Sequence, residues 1–366
     1  MLDKELLKET EILIKDKELT LLSEGVFIWN QIVSFLKEKF SKIQYKEIYT
    51  SSLEEFVKNS ELDKVEYYKS VNELDKINFI SYGKYLNEIE EARNTTIDIL
   101  EIYNLLGKDL LAIPFLMGKD VINQDKNILT TNLGNIDIES NYLGKYQDKY
   151  LTSSKITTDI LFTILDIHKD ESGFIMPPKI APYQVGIVPL KQNEKGVIKE
   201  CKRLKEDLIS KGLRVYLDDS NKVNSKDKKE YLIKSGCPII LELGPRDLER
   251  NLVEITLRDN LDKLDLSNDE SLVENLNSLL KKIHKRMHLK ILVSSVKEEK
   301  KVLKLEELHI NDSSRINKIM WCGEENCLSS IKENTNFISF NQQKHSSKCL
   351  FCDRNAKYVV SNIKKI

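Results

Sequence analysis

The adjacent pair Pro177-Pro178 constrains this chain more than any other feature, because proline stops a helix and pushes the residue before it out of the helical region. Only seven prolines occur in 366 residues, so two in tandem mark a boundary, placed at about residue 178. Upstream, Ile28, Ile32, Phe35, Leu36 and Phe40 recur at three- and four-residue spacing. That spacing predicts one apolar helical face between Gly25 and Phe40, widened by Phe27 and Trp29. Further helices are expected from Glu88 to Leu106 and from Ile156 to His168. The apolar run from Leu110 to Leu116 reads as a buried strand, and Lys46 to Ser51 as strand-like.

Downstream the pattern changes. Strands are expected at Val185 to Pro189, Leu213 to Leu217, Pro238 to Leu243 and Val253 to Arg258. Helices fall between them at Val197 to Ser210 and Lys226 to Ser235, and a long helix follows with Leu272, Leu276, Leu279, Leu280 and Ile283 on one side. Strand and helix taking turns through short links argues an α/β layer with helices on a mixed sheet. From about residue 290 the chain carries four of its six cysteines. Cys322 and Cys327 form a C-x4-C pair, Cys349 and Cys352 a C-x2-C pair, and about 21 residues separate them. In a reducing compartment this spacing lets four thiolates converge tetrahedrally on Zn²⁺. The alternative is four reduced, buried thiols. His345, beside Lys344, reads as a surface residue, and Cys201, in line with Leu204 and Leu208, as a core thiol.

With 57 Lys and Arg against 58 Asp and Glu the net charge is -1, so nothing draws the whole molecule toward nucleic acid or anionic lipid. No run reaches the roughly 18 apolar residues of a bilayer span, and the first residues lack the order of a signal peptide. A cytoplasmic protein without a membrane partner is expected. Between Lys191 and Lys234 positive residues exceed negative by about five, a surplus able to track an RNA backbone or simply to solvate a face. No Gly-rich phosphate loop is present.

The string from Gly173 through Phe-Ile-Met-Pro-Pro-Lys-Ile-Ala-Pro-Tyr-Gln-Val-Gly-Ile-Val-Pro to Leu190 closely resembles the junction between catalytic and anticodon-binding domains in prolyl-tRNA synthetases. Gly244-Pro-Arg-Asp-Leu-Glu249, the cysteine arrangement followed by Ala356-Lys-Tyr, and Gly25-Val-Phe-Ile-Trp-Asn30 extend the likeness, specifically to the archaeal and eukaryotic type. The resemblance implies an α/β (α+β) protein in three parts. Residues 1–178 would be a shortened class II synthetase-like antiparallel-sheet core, 179–290 an α/β anticodon-binding-like domain, and 291–366 a small zinc-binding-like domain. It also implies tRNA contacts from Arg246, Asp247 and Glu249, joined by Lys226, Lys228 and Lys229 from the basic stretch. The alternative for Arg246 and Asp247 is a pair that holds a turn after Gly244-Pro245. Structural zinc would be held by Cys322, Cys327, Cys349 and Cys352.

The departures from that pattern lie in the catalytic motifs. Ser51 stands where the family has proline, and no arginine precedes Arg93, so the arginine that clamps the ATP α-phosphate has no counterpart. Asp159 takes the arginine position of the third motif. Asn141 replaces a histidine, and Tyr82-Gly83-Lys84 replaces a Glu-Gly-His string. The expectation is a degenerate paralogue with no catalytic residues and little or no ATP binding, serving as an accessory or regulatory factor toward tRNA, a protein partner or a second copy. Two other readings stay open: an active proline–tRNA ligase or related amino-acid-activating ligase with ATP contacts from Arg93, Lys145 or Lys149, and an interaction protein whose RNA surface has decayed. His168 and Lys179 are expected to serve structure rather than chemistry.

Overall fold

The computed structural model describes residues 3–15, 19–42, 49–50, 69–70, 80–119, 126–131, 134–146, 149–194, 196–297, 299–301, 303–304, 316–334, 337–342, 347–352 and 354–363. Backbone packing divides the chain into two compact units. One comprises residues 1–34, 109–112 and 164–289, the other 35–108, 113–163 and 290–366.

The first unit is built on a five-stranded sheet of β1 (Val185–Pro189), β2 (Val215–Leu217), β3 (Ile239–Leu243), β4 (Leu252–Leu257) and β5 (Lys263–Ser267), in the order β2-β1-β3-β4-β5. Strands β2, β1 and β3 run parallel, whereas β4 and β5 are antiparallel additions. Helix α1 (Val197–Ser210) buries Val197, Cys201, Leu204 and Leu208, spaced so that one face meets the sheet. Helix α2 (Ser225–Lys234) starts at Asn224, whose side chain accepts from the Asp227 amide at 2.9 Å, a standard N-cap. It packs Leu232 on the opposite sheet face against Val188, Cys237 and Ile240. Gly186 permits that approach: a Cβ there would stand 2.5 Å from the Leu232 methyl groups. Helix α3 (Pro245–Arg250) follows β3, and α4 (Leu272–Lys297) buries Leu272, Leu276, Leu280, Ile283 and Met287 with α1 on the first face. The mixed α/β layer expected from sequence is thus present. Strand β5 was not anticipated.

Arg258, immediately after β4, has a fully buried side chain and donates to both carboxylate oxygens of Asp170 at 2.7 Å and to the Ile233 carbonyl at 2.8 Å. Asp170 belongs to the hairpin Lys169–Asp170/Gly173–Phe174 that leads into the double proline. Hydrogen bonding from Arg258 holds the Asp170 carboxyl below its ordinary value. Removing one member of such a pair strands the other charge in the interior. Asp170→Ala should therefore lower the urea midpoint by the equivalent of about 3 kcal/mol, the low end for buried pairs because Asp170 is itself one-third exposed. A carboxylate depressed in the folded state stabilises above its unfolded pKa of about 3.9 and loses that contribution as pH falls through the folded value. The variant should accordingly show a weaker dependence of stability on pH below about 4.

The second unit carries a nine-stranded sheet ordered 299–301, 316–321, 358–363, 337–342, 116–119, 126–131, 134–146, 149–156 and 80–86. The four strands from 126 to 156 and 80 to 86 are antiparallel neighbours. The helix Ile89–Leu105 buries Ala92, Ile99, Leu100 and Tyr103. Two sequence expectations are corrected here. The run Leu110 to Leu116 is not one strand: a π-helix, Leu106–Leu111, continues the preceding helix, Ala112 turns the chain at φ 56°, and strand structure begins only at Leu116. A short apolar run has no periodicity that separates strand from buried helix, and Gly107 favours the observed path by letting its carbonyl accept from the Ile113 amide at 2.9 Å. The helix expected from Ile156 begins at Ile160, because Thr157 and Asp159 form a turn in which the Asp159 amide donates to the Thr157 hydroxyl at 3.3 Å.

Candidate nucleic-acid interface and metal centre

Parallel strands β1, β2 and β3 all end on the same edge of the sheet, where α/β sheets commonly gather ligand-binding loops. Loop 190–194 follows β1, loop 218–224 follows β2, and Gly244-Pro245 opens α3 after β3. The Leu190 amide donates to the Leu243 carbonyl at 2.8 Å, drawing the first and third together. Lys228 ties in the second: its Nζ donates to Gln192 Oε1 at 2.9 Å and to the carbonyls of Asp218 and Ser220 at 2.7 Å each.

The six residues expected to meet RNA therefore separate by role. Arg246 and Glu249 are exposed on α3, and Lys226 is exposed in the first turn of α2. Asp247 accepts from the Gly244 amide at 2.7 Å, so its carboxylate caps α3 rather than pairing with Arg246. Lys228 is buried, 4% exposed, and its charge faces internal oxygens instead of solvent. It sits one helical turn before Leu232 on the inward side of α2, which one-dimensional charge counting does not register. Lys229 pairs with Glu242 of β3, near Thr256. Glu242 and Arg258, which bond to Lys229 and Ile233 of α2, are marked in the sequence only by a lone charge inside or ending an apolar strand.

Much of the basic surplus between Lys191 and Lys234 is compensated locally. Lys202 pairs with Asp219 at 2.8 Å, Arg203 with Glu200 at 2.6 Å, Lys191 with Glu194 at 3.2 Å, Lys211 with Asp207 at 3.3 Å and Lys234 with Glu230 at 3.3 Å. Arg214 turns inward and donates to the carbonyls of Ala181 and Pro178 at 2.8 Å. Such surface pairs stabilise little, but they reduce the field available to a polyanion. Cys201 lies in the core with no exposed surface, and burial pushes its thiol up to about 12, away from the thiolate form, in keeping with a core thiol.

In the second unit the sulfur atoms of Cys322, Cys327, Cys349 and Cys352 all lie within 4.8 Å of one another. Cys322 immediately follows the strand Ile316–Trp321, and Cys327 sits in the first turn of the helix Glu325–Asn334. Cys349 and Cys352 occupy a tight loop in which the Cys349 amide donates to the Arg354 carbonyl at 2.9 Å. Trp321, packed in the same cluster, donates from its indole to the Glu324 carbonyl at 3.1 Å, and Arg354 pairs with Glu324 at 2.9 Å. Tetrahedral zinc with Zn–S of about 2.3 Å spaces its sulfurs about 3.8 Å apart. The Cys322 and Cys352 sulfurs are 3.7 Å apart. Four thiols at that spacing could hold a metal ion.

Residues 184–279, which contain the whole strand edge just described, match the anticodon binding domain family. Over 309 residues the chain is 32% identical to a proline–tRNA ligase of Clostridium botulinum (strain Loch Maree / Type A3), covering 74% of this chain and 63% of that protein. It is likewise 32% identical over 303 residues to proline–tRNA ligase 2 of Bacillus cereus (strain ATCC 10987 / NRS 248), with the same two coverages. A proline–tRNA ligase of Acetoanaerobium sticklandii is 30% identical over 315 residues. The chain is similar to prolyl-tRNA synthetases over about three quarters of its length. It spans a little under two thirds of the length of the relatives it matches.

Among the positions where the chain departs from the synthetase pattern, Asp159 is exposed, and its carboxylate accepts from the Thr157 hydroxyl at 3.2 Å just before the helix Ile160–Ile167. A carboxylate there suits a helix N-terminus. Ser51 lies outside the described residues, as do the side chains of Tyr82, Lys84, Arg93, Asn141, Lys145 and Lys149. His168 is buried and its Nε2 lies 2.8 Å from the Leu111 carbonyl, a structural placement at the end of the π-helix. Lys179 is exposed beside the double proline. No helix among the described residues is long and apolar enough to cross a membrane.

Proposed function

We propose that this protein is a non-catalytic member of the prolyl-tRNA synthetase group that binds tRNA through its anticodon-binding-like domain and acts as an accessory or regulatory factor in the cytoplasm. The observation that carries this reading is asymmetry. The strand edge bearing Arg246 and Glu249 lies in the family match, whereas no arginine precedes Arg93 and Asp159 stands where the resemblance aligns a catalytic arginine. Domain limits near 178 and 290 accompany it. So does one structural Zn²⁺ held by Cys322, Cys327, Cys349 and Cys352, a charge that would bind the two cysteine loops together and perform no chemistry. A protein partner or a second copy of the chain is the alternative partner to tRNA.

Direct recognition is assigned to Arg246 and Glu249, with Lys226 supplying a backbone contact. Lys228 and Asp247 act by holding the loops and the start of α3 in place. Affinity should be micromolar or weaker and fall with salt, since few phosphates are neutralised. Arg246→Ala should weaken tRNA binding by about 1–3 kcal/mol, as expected for a side chain that reaches a base edge. A filter-binding titration at low salt checks this. Equal affinity for tRNA and an unstructured RNA would favour the interaction-protein reading instead. The activity of the relatives, proline–tRNA ligases, favours a second reading, an active ligase, which pyrophosphate exchange distinguishes.

A further inference from the structure

An uncompensated basic feature lies just outside the stretch that matches the anticodon binding domain, residues 184–279. From Asn275 to the end of α4 at Lys297 the sequence contains no Asp or Glu, while Lys281, Lys282, Lys285, Arg286, Lys290 and Lys297 are all positive. Arg286 is neutralised by Asp259 at 2.7 Å. Lys281, Lys282 and Lys285 are exposed and form no ion pair with a described residue. They occupy one side of the helix, since residues four apart lie on the same face, about 6 Å along the axis.

Two ordinary explanations do not account for them. Lysines near a helix C-terminus complement the macrodipole, but the effect is confined to the last turn, and Lys281 to Lys285 stand about three turns or more before Lys297. A lysine-rich composition alone would intersperse acidic residues among the lysines, as on α1 and α2, which carry Glu200, Glu206, Asp207, Asp227 and Glu230, whereas residues 275–297 carry none. Membrane binding calls for an apolar face beside the charge. The exposed neighbours one turn earlier are the polar Asn277 and Ser278, and apolar exposure begins only one turn later, at Leu289, Leu292 and Val293, so a vesicle arm is part of the test.

We propose that Lys281, Lys282 and Lys285 form a second RNA contact on α4 that engages the phosphate backbone without reading bases. This rests on the reading that the unit binds tRNA, and extends it to residues outside the family match. The test is a fluorescence-anisotropy titration of the full chain with a labelled tRNA transcript across a salt series. The triple variant Lys281→Gln, Lys282→Gln, Lys285→Gln should bind at least tenfold more weakly at about 0.1 M salt. Its slope of log affinity against log salt should fall by about 2–3, because each lost phosphate contact removes about 0.7–0.9. Lys202→Gln with Lys211→Gln, which removes lysines already paired, should leave the slope unchanged. Circular dichroism keeps the comparison to folded protein, and glutamine is a good helix former at exposed positions. Wild-type binding with an unchanged slope in the triple variant overturns this contact alone. Absence of tRNA binding by the wild type overturns both this proposal and the reading it rests on. Loss of binding to phosphatidylserine vesicles, with tRNA binding intact, would assign the face to a membrane surface and also overturn it.

Discussion

Exchange of pyrophosphate into ATP should not rise above background when proline is supplied. Adenylate formation concentrates negative charge on the α-phosphate, and preorganised positive groups aimed at that charge are the main source of catalysis in such reactions. Loss of one such group commonly costs about 10²–10³ in rate. On the resemblance, the chain has no arginine before Arg93 to serve as the first clamp and carries the exposed Asp159 at the third motif's arginine position, two losses of which one reverses the charge, so the expected rate lies at least about 10² below an intact enzyme. The losses act on one transition state and need not multiply, but no combination of them leaves robust activity. All twenty amino acids should be tried, with protein freed of the host's own synthetases. Proline-dependent exchange near ordinary synthetase rates would establish the active-ligase reading and sink the non-catalytic one.

Metal analysis should find one zinc per chain, and replacing Cys349 and Cys352 with serine should release it. The cysteines are supported by a small apolar cluster, chiefly Ile319, Trp321, Leu328, Ile331 and Val360. A cluster of that size stabilises little alone, whereas structural zinc contributes on the order of 10 kcal/mol of folding free energy to small domains. Trp321 reports the change, because it is fully buried beside Cys322. In a Trp29→Phe background its emission should shift to the red in the double variant, and in the parent after treatment with a strong chelator. Thiolate ligation competes with protons, so zinc release should accompany acidification as well. Native protein with no metal and an unshifted Trp321 signal would mean the four cysteines are reduced core thiols.

The elements legible in the sequence are those in which a local signal and the tertiary outcome share one cause. Pro177-Pro178 ends regular structure wherever it is placed. Val197, Cys201, Leu204 and Leu208 recur at helical spacing because that face is buried, and the C-x4-C and C-x2-C pairs recur because four sulfurs converge. Strand β5 escaped notice because it is an edge strand whose side chains alternate between exposed and half-buried, so its period of two is carried mostly by polar residues and leaves a weak apolar trace. The π-helix at Leu106–Leu111 escaped because a continuous apolar run reads the same in either conformation. For the RNA-facing residues the limit is different. A lysine's charge is written in the sequence, but its availability depends on what lies across space. Lys228 has its charge absorbed by Gln192, Asp218 and Ser220, and Lys229 by Glu242 thirteen residues away. Lys281, Lys282 and Lys285 form no ion pair with a described residue. The sequence by itself determined the kind of chain this is, the mixed α/β layer and the cysteine constellation, since these depend on pattern and spacing. Only the tertiary structure decided which basic residues remain free to meet a polyanion, because ion pairing is a property of distance in space and not of order along the chain.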